Sequence, residues 1–375
     1  MLLGPGFFRA ESRPGRDLGV LLARLLAQEG ELRVLDAMAG CGIRACRYGL
    51  EAGAAQLWAN DADPDRLPLL RRNLAPLQHR LTLHCTALTA QALLAGCLQR
   101  QQRFELVDLD AFGSPMALLP LALEAVAFGG VLYLASTDGR SPTGHDRPAA
   151  IRRLGAAARA HPASWELALR LQLGVIARTA WAMGRGVEPL LSFSEGRTFR
   201  TAVRVTRRPA AAQEASLGLL AHCHRCGDQQ VQALLRLRQW RPCRCAASTG
   251  AEAASLAVSG PLWIGPLQHL PTVAALQEQA AAAPATLAEG GRQLLARLRA
   301  DPGLPVPCWP TDLIGRQLGQ GPPPLQPLVR RLRQRGFAAH ASGVMAGQIR
   351  TDAPWSLVLA LAAGDDSTGG GLLNR

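Results

Sequence analysis

The chain has 375 residues, with 41 basic against 28 acidic side chains and a formal net charge of +13. At 48% hydrophobic residues it can bury ordinary cores, which excludes wholesale disorder. No uninterrupted apolar run reaches the roughly 18 residues of a spanning helix. The start, Met1-Leu2-Leu3-Gly4, lacks the pattern of a secretion signal, so a cytoplasmic protein is expected.

The length suggests two or three domains. Every one of the 41 cations is arginine. Guanidinium groups grip phosphate bidentately and stack on bases, so this excess of charge points to a nucleic-acid partner. Nine cysteines, an odd number without a secretion signal, favour reduced thiols or a metal site over a disulfide framework.

In chain order, Leu32 to Ala37 reads as a short strand, and a glycine-rich turn leads to a helix over Ile43 to Ala52. Strands follow at Gln56 to Asn60 and Leu81 to Cys85, with an amphipathic helix at Pro64 to Leu74 between them. Phe104 to Asp110 is a further strand, Leu118 to Ala127 a helix and Gly130 to Ser136 an apolar strand. Trp165 to Met183 has helical periodicity. Glu188 to Phe193 and Thr198 to Val205 flank Ser194-Glu195-Gly196-Arg197, a hairpin turn. This pattern predicts an α/β fold: a Rossmann-like, mostly parallel sheet with an antiparallel terminal hairpin. The Arg/Pro/Ala-rich stretch from Arg207 to Ala215 marks a boundary near residue 209. Beyond it a smaller α+β region is expected, with a cysteine knuckle over about 220–248 and a basic module over about 260–363. Val273 to Ala283 is helix-prone, and the tail from Gly364 is expected to be disordered.

The turn Ala39-Gly40-Cys41-Gly42-Ile43-Arg44-Ala45 follows a strand and opens a helix, so its backbone can approach an anionic ligand. With Asp61 nineteen residues after Gly42, it also satisfies a dinucleotide fingerprint. Two acids tilt it toward S-adenosylmethionine. Asp36 closes the first strand, where a carboxylate meets the methionine amino group, and Asp61 closes the second, where one accepts ribose hydroxyls. Asp110-Ala111-Phe112-Gly113-Ser114-Pro115 closes another strand. An acid followed two residues later by an aromatic suits methylation of an exocyclic amine, whose delocalised lone pair makes it a poor nucleophile. The carboxylate Asp110 turns the lone pair toward the donor, and the ring of Phe112 stacks on the base. The same arrangement suits amino-methylation of DNA bases. Cys223-x-x-Cys226 and Cys243-x-Cys245, sixteen residues apart, suit four thiolate ligands around a structural zinc ion.

With these motifs in place, the chain resembles the tRNA guanine-26 N2-dimethyltransferases over nearly its whole length. The resemblance runs through Gly15-Arg16-Asp17-Leu18, Asp36 to Gly49, Ala59-Asn60-Asp61, Asp108 to Pro115 and Ser136-Thr137-Asp138. It continues through Glu166 to Arg170, Pro189 to Ser194, Gly260 to Gly265 and Ile349 to Pro354. It implies methylation of the N2 amine of guanine 26 in tRNA with S-adenosylmethionine as donor. It also implies that Arg16 and Arg44 contact the donor, Asp61 holds its ribose, Thr86 and Ala87 lie near its adenine, and Asp110 is catalytic. The family's zinc site corresponds to the four cysteines. Three positions depart from the family's pattern: Ala111 replaces Pro, Thr86 replaces Asp, and Gly15 replaces Asn.

Overall fold

The computed structural model describes residues 1–4, 8–243, 245 and 256–364. The expected disorder beyond Gly364 falls outside these residues, as do Arg244 and part of the cysteine knuckle. Two compact units emerge, each discontinuous in sequence. One comprises Met1–Gly139, Ile176–Ala210 and Gln268–Arg299. The other comprises Arg140–Val175, Ala211–Leu267 and Ala300–Arg375. The chain thus leaves the first unit beside the boundary expected near 209, but it also crosses between units at four places that carry no compositional mark. Gln268–Arg299 belongs to the first unit because Leu276, Leu294 and Leu298 enter the same core as Leu18 and Leu22.

The first unit contains α1 (Arg13–Glu29), β1 (Arg33–Asp36), α2 (Ile43–Glu51), β2 (Gln56–Asn60), α3 (Leu67–Leu74) and β3 (Thr82–Thr86). It continues with α4 (Ala90–Gln99), β4 (Phe104–Asp110), α5 (Leu119–Ala125) and β5 (Val126–Ser136). After α6 (Arg147–Leu154) and α7 (Ser164–Ala182), the hairpin β6 (Gly186–Glu195) and β7 (Thr198–Thr206) completes a seven-stranded sheet. The strand order is β3-β2-β1-β4-β5-β7-β6. The first five strands are parallel, and β7 runs antiparallel to both its neighbours. This is the expected Rossmann-like sheet with an antiparallel end. Its central strands are apolar on both faces, as burial between helical layers requires: Val34, Leu35, Leu106, Val107 and Leu109 are fully buried. The order reverses between β1 and β4, which opens a crevice beyond their carboxyl ends.

Two local expectations are corrected. The helix read to Ala127 ends at Ala125, and the strand read from Gly130 begins at Val126. Val126 pairs with Phe104, and the register then shifts past Gly129, whose φ of +89° accommodates the irregularity. Helices α1 and α4 were not read from the sequence at all. In the second unit, β8 (Leu217–His222), β9 (Gln229–Ala233) and β10 (Ala257–Trp263) form an antiparallel sheet of order β10-β8-β9. A second small antiparallel sheet joins β11 (Cys308–Pro310), β12 (Ala339–Ala341) and β13 (Gln348–Thr351) in the order β11-β13-β12. Helices Thr311–Leu318, Leu325–Gln334 and Trp355–Ala362 close its core around Trp309, Ile314, Leu332 and Val358.

Candidate active site

The acids expected at strand ends gather at the carboxyl edge of the first unit's sheet. Asp36 is fully buried at the end of β1. Its Oδ2 accepts from the Ala45 amide at 3.2 Å, while its Oδ1 is buried without a partner. Burial, and then the neighbouring Asp108 carboxylate, push its pKa well above the usual range. Gly40 adopts φ +56°, and a Cβ there would meet open space, so the loop can bring its backbone against a ligand. Its amide donates to Asp61 Oδ2 at 2.9 Å, and Asp61 Oδ1 accepts from the Asp63 amide at 3.1 Å. Gly42, at φ +82°, turns the chain into α2. Thr86 Oγ1 donates to Asn60 Oδ1 at 2.7 Å, which leaves its lone pairs to accept from a further donor. Ala87 follows it, half-buried. The buried Asn60, singled out only as part of a motif, links three loops. Its side-chain nitrogen donates to Ala37 O and Leu88 O, and its oxygen also accepts from the Leu88 amide.

Asp110, at the end of β4, stands between two arginines. Arg44 Nη2 lies 2.8 Å from its Oδ2, and Arg200 Nη2 lies 3.3 Å from its Oδ1. Burial would raise the pKa of Asp110, but the two guanidiniums outweigh it and hold the carboxyl down at about 2. Arg44 also reaches Asp108 Oδ2 at 3.3 Å, which Tyr48 meets with its hydroxyl at 2.5 Å. Its guanidinium, expected to contact a donor, thus meets two acids of β4 and keeps further N–H donors beyond those contacts. Sequence reading missed Arg200 altogether, because a cation inside an apolar strand carries no local signature. Beyond Asp110 the chain turns through Ala111 to Phe112, whose side chain is 77% exposed. The turn is tied to the end of β5: the Gly113 amide donates to Thr137 Oγ1 at 2.7 Å, and Gly113 O accepts from the Thr137 amide and the Ser136 hydroxyl. These bonds hold the turn in place of the ring constraint that a proline at 111 would add.

Arg16, on α1, donates to Arg9 O at 2.9 Å and Ala10 O at 3.2 Å and lies over the Phe8 ring. Burial, with the nearby cation Arg44, lowers its pKa to about 10. It lines a cavity of about 400 Å³ together with Phe8, Ile43, Arg47 and Thr286. These residues fit S-adenosylmethionine on three observations: the orphaned Asp36 oxygen for an ammonium, the open face of Gly40, and the accepting hydroxyl of Thr86 for an adenine amine.

In the second unit, Cys223, Cys226, Cys243 and Cys245 place their sulfurs within 4.8 Å of one another. The separations from Cys223 to Cys243 and to Cys245 are both 3.6 Å, and Cys243 and Cys245 stand closer, at 3.1 Å. A tetrahedral zinc ion with about 2.3 Å Zn–S bonds sets sulfurs about 3.8 Å apart, so the four-thiol donor set fits zinc, and the Cys243–Cys245 pair would open by several tenths of an ångström to hold it. The knuckle is braced from β11 and the last helix. Trp309 Nε1 donates to Gly227 O at 2.7 Å, Trp355 Nε1 donates to Cys226 O at 2.5 Å, and the two indoles stack with centroids 5.0 Å apart. Separately, three of the segments noted in the sequence meet Asp301 in a buried ionic knot. Arg350 binds Glu166 at 2.6 Å and Asp301 at 2.9 Å, and Arg170 binds Glu166 at 2.8 Å. Arg170 also donates to the carbonyls of Trp263, Gly265 and Gly303.

Comparisons with known proteins agree on one relationship. A family model described as N2,N2-dimethylguanosine tRNA methyltransferase matches residues 4–362. A tRNA (guanine(26)-N(2))-dimethyltransferase of Thermococcus kodakarensis is 30% identical over 369 residues, covering 94% of this chain and 92% of that protein. One from Methanocorpusculum labreanum is 28% identical over 357 residues, covering 94% and 89%. A solved complex of Trm1 from Pyrococcus horikoshii with S-adenosyl-L-methionine superposes with a TM-score of 0.80 at 25% identity, covering 95% of this chain and 94% of that one.

Proposed function

Because the chain belongs to the N2,N2-dimethylguanosine tRNA methyltransferase family, we propose that it methylates the N2 amine of guanine 26 in tRNA, once and then again, with S-adenosylmethionine as donor. The observation that carries this reading is Asp110, held ionised between Arg44 and Arg200 beside the exposed ring of Phe112. A carboxylate has about four lone-pair directions, so Asp110 can keep both arginines and still accept an N–H from an amine.

The donor, when bound, would supply a methyl group activated by its sulfonium sulfur, which keeps the electron pair of the broken S–CH3 bond and leaves as the neutral thioether. Phe112 stacks on the guanine, and Asp110 accepts one amine N–H, which turns the nitrogen lone pair toward the methyl carbon. As the nitrogen takes the methyl, its N–H proton becomes strongly acidic and passes to Asp110 or to water. Asp36 faces the donor's ammonium, Asp61 its ribose hydroxyls and Thr86 its adenine amine, over the backbone of Gly40 and Gly42, with Ala87 alongside. Arg16 supplies the cation for its carboxylate, and Arg44 keeps further N–H donors beyond its contacts to Asp108 and Asp110. In the second unit, the four cysteines hold a structural zinc ion, and the exposed Arg236 and Arg238 meet the phosphate backbone of tRNA. Within this reading, the first unit carries the methyltransferase chemistry and the second contributes the tRNA-binding elements, so the division expected at 209 is replaced by one that is discontinuous in sequence. Among the described residues no helix is long and apolar enough to cross a membrane.

The test is mass analysis of nucleosides from unmodified tRNA incubated with the purified protein and S-adenosylmethionine. N2-methylated and N2,N2-dimethylated guanosine are expected. Donor binding without methylated guanosine would move the assignment to another nucleic-acid amine.

A further inference from the structure

The buried surroundings of Asp110 include a pair that the reaction chemistry leaves unused. Arg200, on β7 and 2% exposed, spends its Nε on Glu195 Oε2 at 2.7 Å and its Nη2 on both oxygens of Asp110, at 3.3 and 3.4 Å. Glu195, at the end of β6, uses its other oxygen to accept from the Gly15 amide at 2.6 Å. The Gly15 carbonyl in turn accepts from the Tyr133 hydroxyl at 2.7 Å, and Arg200 lies over the Tyr133 ring. A Cβ at Gly15 would stand 2.5 Å from Glu195 Oε2 and 2.6 Å from Arg200 Nε. The absence of a side chain at residue 15 is therefore what lets the start of α1 close against this pair.

We propose that Arg200 is a positioning residue: anchored by Glu195, it fixes the direction in which Asp110 presents its carboxylate, and Gly15 admits the backbone contact that holds Glu195 still. The inference rests on the assignment of Asp110 to amine methylation. Arg44 alone grips Asp110 from α2 and leaves the carboxylate free to swing about that contact. Arg200 adds a contact to Oδ1, the oxygen that Arg44 does not hold, so the two guanidiniums together fix both oxygens. A displacement of about 1 Å at such a group costs on the order of 100-fold in rate.

Around Asp110 stand Arg44 of α2 and Arg200 of β7, which contact it, with Asp108 of β4 and Asp36 of β1 as neighbouring acids; one contact further out, Tyr48 of α2 meets Asp108, and Glu195 of β6 and Tyr133 of β5 meet Arg200. Removing Arg200 takes away one of the two cations that keep Asp110 ionised. The acid limb of kcat, which lies below about pH 4 in wild type, should then move to higher pH and into the measurable range.

The experiment compares wild type, Arg200→Met, Arg200→Lys and Gly15→Ala for kcat, KM for tRNA, donor affinity by calorimetry, and the pH profile of kcat. We expect Arg200→Met to lower kcat about 100-fold, with KM and donor affinity changed less than about threefold and the acid limb displaced upward. Arg200→Lys should restore part of kcat and return the limb toward its wild-type position. Gly15→Ala, which forces Glu195 and Arg200 to move without removing either, should lower kcat while leaving both binding constants nearly unchanged. It decides the question if Arg200→Met fails to fold. Wild-type kcat in Arg200→Met or in Gly15→Ala, or an equal loss with no shift of the acid limb, would overturn the role of Arg200. A wild-type protein that forms no N2-methylguanosine would instead overturn the reading of the reaction.

Discussion

At Asp110, two arginines decide the chemistry. A free carboxylate titrates at about 3.9, and the Arg44 and Arg200 contacts take this one down to about 2. The stability it contributes is therefore complete above the ordinary carboxylate value and is lost only as pH falls toward 2. Asp110 thus stays ionised throughout the working range, free to accept and orient an N–H and to receive its proton as the methyl is transferred. Two predictions belong at this scale. Asp110→Ala should abolish turnover, and Asp110→Asn should lower it at least about 100-fold, with donor affinity within about threefold by calorimetry; full activity in either would remove Asp110 from the mechanism. In wild type, the rate of methyl transfer should show no acid limb attributable to Asp110 above about pH 4. The check is a pH–rate series on wild type and Asp110→Glu: a limb that moves between the two would contradict it.

Elements in this protein are joined by polar contacts that lie far apart in sequence. Glu166 on α7, Asp301, and Arg350 on β13 are almost wholly buried and satisfy one another. Breaking a buried pair leaves an uncompensated charge and costs about 3–5 kcal/mol. Glu166→Ala should therefore lower the urea midpoint by that equivalent, whereas a surface control such as Glu289→Ala should change it by less than about 0.5 kcal/mol. An unchanged midpoint in Glu166→Ala would show that the knot contributes nothing. The cysteine knuckle is the second joining element, and its carbonyls are held by the stacked Trp309 and Trp355. Native mass spectrometry should find one zinc ion per chain, and chelation should lower Tm. A metal-free protein whose Tm ignores both zinc and chelator would refute a structural zinc site.

For the whole molecule, a net charge of +13 carried entirely by arginine makes tRNA binding depend steeply on salt. The double variant Arg236→Ala/Arg238→Ala should reduce the slope of log K against log salt by about 1–2, at roughly 0.7–0.9 for each phosphate no longer neutralised. An unchanged slope would place the phosphate-binding arginines elsewhere.

The sequence by itself determined the alternation of strands and helices, the strand-end acids Asp36, Asp61 and Asp110, the glycine turn and the cysteine spacing. Each is a local pattern: a period of apolar residues, a turn residue, or a fixed interval between ligands. The positions of Arg44 and Arg200 around Asp110, the closure of Gly15 on Glu195, and the meeting of Glu166, Asp301 and Arg350 were decided only in the tertiary structure. So was the return of Gln268–Arg299 to the first unit's core. The reason is physical. A buried charge is tolerated only where a partner neutralises it, and that partner is supplied by a strand or helix whose distance along the chain bears no relation to its distance in space.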